Sequence, residues 1–68
     1  MRNTEIATLQ FVDAEAHAEA IVIIRVVQPH IAVCLSRQDN GDIEVVLNRQ
    51  DCQAFVDALQ QALTISND

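Results

Sequence analysis

The chain's pattern predicts an α+β domain. We expect a three- to four-stranded antiparallel meander with one C-terminal amphipathic helix packed on one face, in the order β-β-β-β-α. Three observations lead there. Alternation between two side-chain sets runs without a slip through residues 18–27 and resumes after Pro29, the period of a strand. The triplet Asp39-Asn40-Gly41 separates two such runs, which is hairpin-turn chemistry. Beyond Asn48 the apolar residues change to helical spacing, at Cys52, Phe55, Val56, Leu59 and Leu63.

Residues 4–12 (TEIATLQFV) are rich in β-branched and aromatic side chains and read as a first strand, although their alternation is imperfect. Segment 1–17 as a whole stays open between strand, helix and disorder. Residues 14–20 (AEAHAEA) favour helix by composition and strand by alternation. We read 18–27 as the second strand and the stretch before it as a turn or strand extension. One side then carries Ala18, Ala20, Val22, Ile24 and Val26, and the other Glu19, Ile21, Ile23, Arg25 and Val27.

Pro29 cannot donate to a ladder and ends this strand. Residues 30–37 (HIAVCLSR) form the third. With Gln28-Pro29 as a two-residue connection, Val26 faces Ile31, Ile24 faces Val33 and Val22 faces Leu35, an all-apolar set of cross-strand pairs. A three-residue loop Asp39-Asn40-Gly41, with Gly41 supplying a positive φ, sets Leu35 opposite Val45 and Val33 opposite Leu47 in a fourth strand over 42–47. Asn48 is placed as a helix N-cap, with Asp51 in the capping-box position. The helix should span 49–63, with 65–68 fraying.

Sixty-eight residues and 7.5 kDa make one domain, 1–68. Half the residues are apolar and 21% are charged, which argues against disorder. A domain this short buries only about 60% of its unfolded surface, so it needs a disulfide, a metal or a partner. Two cysteines allow at most one bridge, and no Cys/His set has zinc spacing. Oligomerisation is the remedy left. The predicted helix covers one sheet face: Val22, Ile24, Val26, Ile31, Val33, Leu35, Ile43, Val45 and Leu47. The opposite face keeps Ile21, Ile23, Val27, Ala32, Cys34 and Val46, and we expect it to be a homodimer interface. The competing explanation is that Ile6, Leu9, Phe11 and Val12 fold back over it.

The chemistry-bearing residues are sparse. Glu15, His17 and Glu19 would share a strand face, and a solvated polar edge is the plainer reading. His30 stands alone at a hairpin tip. Cys34 and Cys52 are expected on opposite sides of the sheet, as small hydrophobes without a disulfide between them. Cys52, in the first helical turn, is the least implausible nucleophile, and its apolar stripe argues for burial instead. Asp39, Asn40, Asp42 and Glu44 lack the later ligands of a calcium loop. A single Gly excludes a phosphate-binding loop. Neither Ser36 nor Ser66 has a base nearby. We therefore expect no enzyme, no cofactor and no metal.

The four basic residues are all Arg against ten acids, a net charge of −6. That balance repels phosphate backbones, so no direct nucleic-acid binding is expected. Asn3, Thr4 and Glu5 interrupt any apolar signal-like stretch, and Arg25 breaks the greasiest run, so no membrane contact is expected either. We place the chain in a reducing cytoplasm with both thiols free. The reading is a small acidic protein-interaction module acting as a homodimer. The alternative is an acidic inhibitor or decoy that blocks a basic, nucleic-acid-binding site on a partner protein.

Overall fold

The computed structural model describes residues 3–66. Four strands, β1 (Asn3–Val12), β2 (Glu19–Val27), β3 (His30–Arg37) and β4 (Gly41–Leu47), precede one helix, α1 (Arg49–Ile65). The strands form one antiparallel sheet in the order β1-β2-β3-β4, so the expected meander and C-terminal helix are present.

The β1–β2 connection is built around Asp13. Its carboxylate accepts from the backbone N–H groups of Glu15 at 2.9 Å and Ala16 at 2.7 Å. The His17 N–H donates to the Asp13 carbonyl at 2.9 Å, and His17 turns the chain at φ 58°. The turn reading of the stretch before β2 thus holds, and the shared strand face of Glu15, His17 and Glu19 does not. A local side-chain acceptor outcompetes alternation here, as Asp does in turns.

The β2–β3 hairpin has the predicted register: Val22 opposite Leu35, Ile24 opposite Val33 and Val26 opposite Ile31. The Gln28–Pro29 peptide between them is cis. The β3–β4 hairpin pairs Val33 with Val45, Leu35 with Ile43 and Ile31 with Leu47, two positions from the expected register. The Asn40 N–H closes the turn on the Arg37 carbonyl at 3.0 Å, and Gly41, at φ 78°, already pairs with Arg37. The loop is therefore Gln38-Asp39-Asn40. A slip of two keeps every side chain on its predicted face.

β1 pairs with β2 from Asn3–Val27 to Val12–Glu19, with a bulge between Glu5 and Ala7. It lengthens the sheet instead of roofing it: Ile6, Leu9, Phe11 and Val12 are all exposed. The fold-back alternative is thereby removed.

Asn48 caps α1. Its side-chain oxygen accepts from the Asp51 N–H at 2.7 Å, and its carbonyl accepts from the Cys52 N–H at 2.9 Å. α1 meets only β3 and β4 among the described elements, and none of its residues is buried. The cover expected over nine strand residues is therefore slight. Asn48 is the only residue between β4 and α1 and has an extended backbone. The chain has no loop there in which to swing the helix back across all four strands. Among the described residues only Ala20 and Ala32 are buried, at 8% and 1% exposure.

Candidate interaction surface

The sheet's two faces differ. One, the Val33 face, carries Leu9 and Phe11 from β1, Val22 and Ile24 from β2, Val33 and Leu35 from β3, and Ile43 and Val45 from β4. Its only charged residue on the three inner-registered strands β2, β3 and β4 is Arg37, at one end. Its outer positions are bare: Leu9, Phe11, Leu35, Ile43 and Val45 are all exposed. The apolar side of α1 is bare as well, with Phe55, Val56, Leu59 and Leu63 exposed.

The opposite face holds the six residues expected at a dimer interface. Ala32 is buried there, Ile21, Ile23, Val27 and Cys34 are half-buried, and Val46 is 58% exposed. Charge crosses this face. Arg25 pairs with Glu44 across β2, β3 and β4, and Glu5 sits opposite Arg25 on β1. Sequence alternation assigned these residues to their faces correctly. It gave no measure of how bare each face is, because that depends on where α1 goes.

The remaining polar groups hold the fold. Arg37 donates through Nε to Asp39 at 2.6 Å and through Nη1 to Asp13 at 3.4 Å, tying together the two turns at one end of the sheet. Asp39 raises the Arg37 pKa, with Asp13 adding to it. The N–H groups of Ala16 and Glu15, followed by Arg37, hold the Asp13 carboxyl below its ordinary value. Glu15, Glu19 and Asp42 lie at the same end, an acidic rim around Arg37. Cys34 and Cys52 are free and half-buried. Among the described residues no group of three or more His, Cys, Asp or Glu is placed to hold a metal ion, and no helix is long and apolar enough to cross a membrane. His17 lies in the β1–β2 turn and His30 at the start of β3, so the sheet's length separates them.

The accessible surface is 5621 Å². A folded monomer of 7.5 kDa exposes about 4,200 Å². The radius of gyration, 13.4 Å, likewise exceeds the roughly 11 Å of a compact chain of this length. No family model, no curated protein and no solved structure matches the chain.

Proposed function

We propose that the chain is a small, acidic, non-enzymatic interaction module that works as a homodimer. The observation that carries this reading is the surplus of about 1,400 Å² of accessible surface over that of a compact monomer. A standard protein–protein interface covers about 800 Å² on each partner, so the surplus is large enough for one. Large apolar side chains are bare on α1 and on the Val33 face, and contiguous exposed apolar patches on a single chain mark contact surfaces. Light scattering coupled to size exclusion tests it: the expected mass is twice that of the 7.5 kDa chain at micromolar concentration. A single-chain mass throughout a dilution series removes the reading.

The acidic-decoy reading has its own support. Asp13, Glu15, Glu19, Asp39 and Asp42 gather at one end of the sheet around Arg37. Such a rim would steer the module toward a basic protein surface. Capture of a basic partner should then weaken sharply as salt rises from low to moderate strength; salt-independent capture counts against it.

A further inference from the structure

We propose that in the dimer each α1 lies across the partner's sheet on the Val33 face, so that the hydrophobic core forms between two copies and not within one. This rests on the homodimer reading and specifies its contact surface. Stable domains place at least two layers around one core. Here a single chain displays both layers, an apolar sheet face and an apolar helix side, and leaves both largely open: no α1 residue is buried, and on the Val33 face Ala20 is buried while Val22, Ile24 and Val33 are half-buried. A second copy satisfies both at once, because a twofold axis makes the two helix-on-sheet contacts identical. An unrelated partner would have to supply both complements.

Size and charge agree. Seventeen helical residues span about 26 Å, enough to cross four strands spaced about 4.8 Å apart. The helix side made by Phe55, Val56, Leu59 and Leu63 carries no charge, and neither do Val22, Ile24, Val33 and Val45 opposite it. Sheet-to-sheet contact through the other face would instead bury the Arg25–Glu44 pair and Glu5, at a desolvation cost that an ion pair seldom recovers.

The test uses the full chain with Cys34→Ala and Cys52→Ala as background. One variant adds Leu59→Cys and another adds Val45→Cys, and the two are mixed and oxidised. The expected result is a disulfide-linked species of two chains, at about tenfold the yield of either variant alone, because the partner's fold holds the two thiols together. In parallel, Leu59→Asp should convert the dimer to single-chain mass while Ile23→Asp, on the opposite face, leaves it intact. A single-chain mass for the parent protein overturns the dimer and this placement together. A parent dimer with no excess cross-link in the mixture, or one that Ile23→Asp splits and Leu59→Asp does not, overturns the placement alone.

Discussion

Asp13 does three jobs with one carboxylate. It caps the β1–β2 turn through two backbone N–H groups, reaches Arg37 on β3, and thereby links the two turns at that end of the sheet. Because its folded pKa is depressed, its contribution to stability is complete above the unfolded value of about 3.9 and is lost as pH falls through the lower folded value. Asp13→Ala should therefore lower the urea midpoint at neutral pH, and the gap to the parent should narrow as pH falls below the unfolded value and through the lower folded one. An equal gap at neutral and acid pH would show that the carboxylate's charge is not what holds the turn. Gly41, like His17, holds a positive φ in a turn. An added Cβ would meet nothing within 4 Å, so a side chain at φ 78° is resisted by its own backbone and not by its surroundings.

At the scale of the element, α1 depends on itself. It has no buried residue, so little tertiary packing within the chain supports it. Its own devices are the Asn48 cap, a Gln53–Asp57 side-chain bond one turn apart at 2.9 Å, and a Ser66 N–H that closes the last turn on the Ala62 carbonyl. Asn48→Ala should cost about 1 kcal/mol and reduce helical ellipticity, while Asn48→Asp should retain both. Unchanged ellipticity in the alanine variant would mean that packing against something else, and not the cap, sets the helix start. The elements themselves were legible. The β2–β3 register follows from three apolar pairs and a proline that stops the strand. The β3–β4 register missed by two because alternation specifies a face and repeats every second residue, so turn geometry had to decide. The turn before β2 was left open against a strand extension because AEAHAEA alternates, while the aspartate just before it offers a local acceptor that decides for the turn. Amphipathic spacing in α1 announced an apolar side seeking cover without saying which surface, in which chain, supplies it.

At the scale of the whole molecule, two alanines, Ala20 and Ala32, are the only buried residues among those described. A sheet and a helix that barely meet offer little cooperative cohesion within one chain, and the proposed homodimer would tie stability to association. The melting temperature should rise with protein concentration over a roughly hundredfold range, as mass action requires when only the assembled form is folded. A concentration-independent transition would place the cohesion inside one chain. The same openness raises the question of what keeps copies from joining without end. A flat outer strand ten residues long would invite edge-to-edge pairing and fibre growth. The irregularity between Glu5 and Ala7 bends β1 out of that template and leaves one of its residues without a cross-strand counterpart. The kink thus blunts one of the sheet's two margins: a neighbour zipping onto β1 would meet a broken ladder, and any ribbon would have to grow through β4 instead.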